Sequence, residues 1–194
     1  MFKGSIRIAA VSDAAAMATI YAPIVRDTII SFEIEPPTPE ELAGRIAATL
    51  KTHPWLVAEQ EAGHETEHDR RVIGFAYAGA HRDRAAYRWS VDVSVYVDVR
   101  VRRAGIGRAL YEKLTRILQR QGFHAAFAGI ALPNAASVGL HEAVGFKPVG
   151  IYEEVGFKKG QWQDVGWWRL SLSDADGPPE EPVPFAALPA NIMA

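Results

Sequence analysis

Residues 91–110 read VDVSVYVDVRVRRAGIGRAL, an alternating apolar strand that passes through Arg102-Arg103-Ala104-Gly105-Ile106-Gly107-Arg108 directly into an amphipathic helix. Glycines at 105 and 107 let the backbone approach an anion closely. Several N–H groups converge there, and the N-terminus of the following helix adds partial positive charge. Arg102, Arg103 and Arg108 reinforce that sign. The junction therefore reads as a cradle for a phosphate-bearing cofactor.

Working outward, residues 5–10 predict a first strand. Ser12-Asp13 then caps a helix with apolar positions Met17, Ile20, Tyr21 and Ile24. Pro23 inside that helix predicts a kink or a split. Pro36-Pro37-Thr38-Pro39 precedes a second helix carrying Leu42, Ile46 and Leu50 at four-residue spacing, and residues 28–35 between the helices read as a loop. Residues 55–60 and 72–79 predict paired strands across a polar connection, and residues 89–97 a strand feeding the glycine turn. A helix over 104–121 ends at Gly122, residues 125–131 predict a buried strand, and Pro133-Asn134 opens a short helix that stops at Gly145. Residues 147–155 and 162–172 complete the strands. The order β-α-α-β-β-β-α-β-α-β-β predicts a single α/β (α+β) domain: a mixed, mostly antiparallel sheet of about seven strands flanked by helices, over residues 1–173. From Asp174 onward, five prolines and four acidic residues predict an extended or disordered tail, 174–194, in which Phe185 and Leu188 are the candidates for docking.

Composition excludes several classes. The chain has 194 residues and no cysteine, so thiolate metal sites, disulfides and cysteine nucleophiles are ruled out. No signal peptide or run of apolar residues long enough to span a membrane is read, which fits a cytoplasmic protein. Net charge is −2, and the tail holds four carboxylates and no Lys or Arg, which leaves the body at only +2. That bias is too weak for a nucleic-acid partner, so a small anionic ligand accounts better for the basic loop. His64 and His68 share i,i+4 spacing but lack a third firm ligand, and no metal site is expected. The glycine turn follows the fourth strand rather than the first, against a dinucleotide fold, and no Gly-Lys-Ser/Thr supports a P-loop.

Arg102-x-x-Gly105-x-Gly107 between strand and helix resembles the acyl-CoA pyrophosphate motif of the GNAT superfamily of N-acetyltransferases. Leu132-Pro133-Asn134, followed by residues 140–146 (LHEAVGF), resembles its other characteristic segment. Residues 76–79 (AYAG), 86–89 (AYRW) and 155–165 (VGFKKGQWQDV) extend the likeness to the phosphinothricin N-acetyltransferase family over roughly residues 6–172.

That resemblance implies transfer of acetyl from acetyl-CoA to the α-amine of a small amino acid such as phosphinothricin, methionine sulfoximine or methionine sulfone. It also implies a homodimer and, by the first acceptor, herbicide resistance. Backbone groups of Val95, Tyr96 and Val97 would pair with the pantetheine arm, Arg102, Arg103, Ala104, Gly105, Ile106, Gly107 and Arg108 would hold the pyrophosphate, and Asn134 would contact the arm. Asp92 stands where the family has a glutamate base, one methylene longer, and would act through water. His141 takes the position of the acid that protonates the departing thiolate. Arg82 and Arg84 would meet the acceptor's anionic group, with Tyr87 and Phe32 shaping its pocket. His81 and Glu33 depart from residues of phosphinothricin-specific members. The open alternatives are a polyamine, aminoglycoside or peptide N-terminus as acceptor, or an idle acetyl-CoA-binding regulatory module.

Overall fold

The structure is a computed structural model that describes residues 2–61, 70–101, 103–175 and 177–193. Its elements follow the expected order: β1 (Ser5–Ile8), α1 (Ala14–Asp27), α2 (Pro39–Thr49), β2 (Trp55–Glu61), β3 (Arg70–Ala80), β4 (Ser90–Val97), α3 (Ile106–Gln121), β5 (Ala125–Leu132), α4 (Ala135–Val144), β6 (Lys147–Lys158) and β7 (Gln161–Ser171). Among the described residues the strands form one seven-stranded sheet in the order β1-β2-β3-β4-β5-β7-β6. Only β4 and β5 pair in parallel there, and the crossover that such a pair requires is α3.

Alternation along the strands divides two cores. Val91 and Val93 of β4 face α3, whose Leu110, Tyr111, Leu114, Ile117 and Leu118 are all essentially inaccessible to solvent. The opposite face packs under α1 and α2 through Met17, Tyr21, Leu42, Ile46, Trp55 and Phe75. Asp92, Ser94 and Tyr96 alternate with those valines and so belong to the second face. Local chemistry sets the helix ends: Thr38 and Glu41 form a reciprocal capping box at α2, and Gly122 and Gly145 close α3 and α4 in the left-handed region.

Two expectations change. Pro23 does not split α1 into two elements; the helix is continuous, because burial of Ile20, Tyr21, Ile24 and Val25 outweighs one lost backbone hydrogen bond. The proline-rich tail is docked rather than free. Val183 N–H donates to the Gln121 carbonyl (2.7 Å), Gln121 Nε2 donates back to the Val183 carbonyl (2.8 Å), and Phe185 and Ile192 enter the α3-side core. Proline forbids regular structure there, but two short 3₁₀ turns, Phe185–Ala187 and Ala190–Met193, still bury apolar side chains.

Candidate active site

The central feature is a divergence of β4 from β5. The two strands pair only at Ser90, Val91 and Asp92. Beyond that point β4 keeps its partner β3 through Val97, so the alternate N–H and C=O groups of 93–97 that point away from β3 line an open slot. An extended polar chain entering the slot could take the place of a strand. At its far end Asp98 is buried and accepts from the Arg100 backbone N–H (2.9 Å) and guanidinium (2.6 Å), which holds its carboxyl below the usual range and fixes the turn out of β4. The chain then reaches Arg103 (φ 64°) and Gly105 (φ 80°), both left-handed, and Gly105 caps α3. Helix N–H groups therefore open onto the end of the slot. Gly107 lets α3 approach α4: a Cβ there would come within 2.9 Å of Leu140 Cδ2.

On the α1 face, where the strands part, Asp92 Oδ1 lies 2.6 Å from His81 Nδ1. Burial pushes the Asp92 carboxyl up, and the His81 hydrogen bond and the nearby Arg82 guanidinium (3.8 Å) pull it partly back. Next to it a cavity of about 400 Å³ is lined by Ser31, Phe32, Tyr96, Gly129, Tyr152 and Trp167, among others. A slot for an extended polar chain, an anion cradle at its end and a carboxylate beside an aromatic cavity make the arrangement of an acyl-transfer site.

The profile of the acetyltransferase (GNAT) domain family matches residues 6–167. Phosphinothricin N-acetyltransferase of Streptomyces viridochromogenes is 38% identical over 164 residues, covering 84% of this chain and 85% of that protein. L-methionine sulfoximine/L-methionine sulfone acetyltransferase of Pseudomonas aeruginosa is 35% identical over 179 residues, 90% of this chain and 98% of that one. The crystal structure of a GNAT superfamily phosphinothricin acetyltransferase from Sinorhizobium meliloti in complex with AcCoA superposes with a TM-score of 0.85 at 33% identity, covering 94% of this chain and 96% of that chain. The chain belongs to the GNAT acetyltransferase family.

As a GNAT N-acetyltransferase the chain places its expected site residues unevenly. Val95, Tyr96 and Val97 edge the slot, and Ala104, Gly105, Ile106, Gly107 and Arg108 form the cradle with Arg103. Arg102 lies outside the described residues, as do His64 and His68. Asn134 spends its carboxamide oxygen on capping α4, accepting from Ser137 N–H at 3.1 Å, and its NH₂ is left to donate. Phe32 lines the cavity and lies against Gly156, where a Cβ would sit 2.3 Å from the ring. Arg82 reaches over the Trp167 ring (5.4 Å), and Tyr87 meets His81 edge-on (5.8 Å). Arg84 is not brought to that cavity: it lines a second hollow together with Arg82, Arg88 and Glu181, and only Arg82 also reaches Trp167 and Asp92.

His141 corrects the sequence reading. It is 3% exposed, its Nδ1 lies 2.7 Å from the Ser137 carbonyl, and its Nε2 lies 2.8 Å from the Tyr111 hydroxyl. With both nitrogens spent inside the α3–α4 packing, it cannot hand a proton to a thiolate in the slot. It is a core residue. Burial holds His141 and His53 below the ordinary imidazole range, so both stay neutral in the fold while the unfolded chain protonates them below about pH 6.5. Stability is therefore full above that pH and falls as the pH drops. The thermal midpoint is expected to be lower at pH 5.5 than at pH 7.5, and His141→Gln is expected to narrow the gap.

Two side chains near the cavity escaped the sequence reading, and a third, Glu33, was noted there without its partners. Trp167 is a cavity wall; its Nε1 is buried with no protein partner among the described residues. Lys158 is buried, and its ammonium donates to the carbonyls of Val25, Ser31 and Glu33, anchoring the loop that carries Phe32. Glu33 is bidentate to Arg45 (2.8 and 3.1 Å) and accepts from the Tyr21 hydroxyl, whose own pKa burial pushes up to about 12. Strand periodicity could have put Trp167 on the face of Asp92, but nothing local marks Lys158. Among the described residues no helix is long and apolar enough to cross a membrane.

Proposed function

We propose that this chain moves the acetyl group of acetyl-CoA to the α-amine of a small amino acid with an anionic or strongly polar group, of the phosphinothricin, methionine sulfoximine or methionine sulfone type. The observation that carries this reading is the juxtaposition of a carboxylate, an arginine and an open aromatic cavity where β4 leaves β5. The unpaired edge of 93–97 and the left-handed Gly105 fit a pantetheine arm and a pyrophosphate respectively. When bound, acetyl-CoA supplies an acyl group activated as its thioester.

The chain's own residues do the rest. Backbone amides at 103–108 hold the pyrophosphate, Val95 to Val97 pair with the arm and Asn134 donates its NH₂ to it. Asp92 provides the negative charge that draws the acceptor's ammonium and supports removal of its proton. Arg82 meets phosphinate, sulfonyl or carboxylate oxygens, while Phe32 and Tyr87 bound the side chain. Glu33 favours this acceptor over a polyamine: its charge is already neutralised by Arg45, so it offers a second ammonium nothing. Dependence on acetyl-CoA supports a cytoplasmic setting, and blocking the amine of phosphinothricin is the route by which the activity would give herbicide resistance.

The homodimer has support in the β6–β7 hairpin, where Val149, Ile151, Val155, Phe157 and Trp162 are each at least half exposed. The deciding experiment is release of free thiol from acetyl-CoA with a panel of amines, run on protein whose mass in solution is measured. Turnover is expected with methionine sulfone, methionine sulfoximine or phosphinothricin. Turnover only with polyamines or peptides would overturn the acceptor, and acetyl-CoA binding without turnover on any amine would overturn the enzyme.

A further inference from the structure

We propose that His81, oriented by Asp92, is the group that removes the proton from the acceptor's ammonium, so that Asp92 acts on the amine through the imidazole. This rests on the amino-acid acetyltransferase reading above and names the atom that does the work.

A carboxylate only accepts hydrogen bonds, so the 2.6 Å contact requires the proton to sit on His81 Nδ1. In the neutral ring that leaves the lone pair on Nε2. Among the described residues Nε2 makes no hydrogen bond to the protein, and it is not among the sealed, unpartnered atoms. The ring itself is fixed: it stacks on Phe127 at 4.4 Å with 18° between planes and meets Trp167, a wall of the acceptor cavity, at 5.9 Å. Its side chain is 13% exposed. A base needs a fixed ring, a set tautomer and one open nitrogen, and His81 has all three beside a wall of the cavity. Asp92 is less free, with Oδ1 on His81 and Oδ2 facing Arg82. The other titratable or charged groups nearby are Tyr87 from the preceding loop and Arg169 of β7, which pairs with Phe127 and so shares its face. Burial raises the Asp92 carboxyl, and sharing the Nδ1 proton relieves part of that cost.

In the step, Nε2 takes one proton from the ammonium and the imidazolium is held by Asp92. The freed amine forms its N–C bond to the acetyl carbonyl carbon as the C–S bond breaks, and sulfur leaves with the electron pair. Of the two protons the nitrogen loses overall, one ends on the thiol and one passes to solvent.

The test compares the full chain with His81→Gln and Asp92→Asn, using methionine sulfone as acceptor. His81→Gln is expected to lower kcat about 100-fold and to keep the KM for acetyl-CoA within about twofold. Asp92→Asn is expected to lower kcat less, because the ring keeps its open nitrogen and loses only the group that sets its tautomer. His81→Gln retaining the wild-type kcat would overturn the proposal. Ring ¹⁵N shifts of His81, assigned by their loss in His81→Gln, give an answer independent of the acceptor. The Nδ1–H tautomer supports the assignment and the Nε2–H tautomer overturns it, even if the wild type acetylates no amino acid and the proposed function falls.

Discussion

Gly105→Val is expected to raise the KM for acetyl-CoA about a thousandfold while leaving kcat at saturation near the wild-type value. Gly105 caps α3 at φ 80°, ψ 7°, a conformation that a β-branched residue adopts only under strain. The space around it is otherwise open, with the Phe2 backbone N 3.8 Å from a would-be Cβ, so the effect comes from backbone conformation rather than a clash. Relieving the strain turns the peptide units on either side and re-aims the first N–H groups of α3. Two charge-assisted hydrogen bonds at about 2 kcal/mol each amount to roughly 4 kcal/mol, or about three orders of magnitude in affinity. Gly105→Asn is the discriminating companion, since asparagine tolerates the left-handed region and is expected to lose much less. Calorimetric titration with acetyl-CoA reads both variants. Equal losses in the two would show that the side chain, and not the conformation, is at fault.

Lys158→Met is expected to lower stability by about 3 kcal/mol and to weaken acceptor binding, with acetyl-CoA affinity unchanged. Three carbonyls, those of Val25, Ser31 and Glu33, lie 2.6–2.8 Å from the buried ammonium. Methionine has a similar length and removes the cost of burying a charge, which burial and Lys159 already make unfavourable by lowering the Lys158 pKa. Against that gain stand three acceptors left without a donor at about 1–3 kcal/mol apiece. Loss wins, and the thermal midpoint is expected to fall by roughly 6–12 °C for a chain of this size. The released loop carries Phe32 and Ser31, which line the acceptor cavity, but nothing of the glycine cradle. A raised acceptor KM with an unchanged acetyl-CoA titration is the signature. An equal loss in both would mean that Lys158 supports the whole fold rather than one wall.

The anion cradle was legible because its chemistry is local. Glycines, arginines and a helix start lie within seven residues, and the strand before them alternates. Asp92 was legible through the family resemblance, and the period of two adds only that it lies on the face opposite Val91 and Val93. The pair it makes was not. His81 lies eleven residues away, and only the antiparallel register that sets Gly79 against Asp92 brings the ring to the carboxylate. His141 failed in the opposite direction, because the resemblance gave its position on α4 but not what that position packs against. Arg84 failed because loop residues carry no period at all.

The sequence by itself determined the element order, the extent of the sheet and the donor end of the site, because each follows from periodicity, capping and turn residues that neighbours in the chain supply. Tertiary structure alone decided the acceptor end. Phe32, Lys158 and Trp167 come from a loop and two strands more than a hundred residues apart, and they meet because β6 and β7 fold back against the segment after α1. The distances among such groups depend on register and packing. No window of sequence contains them.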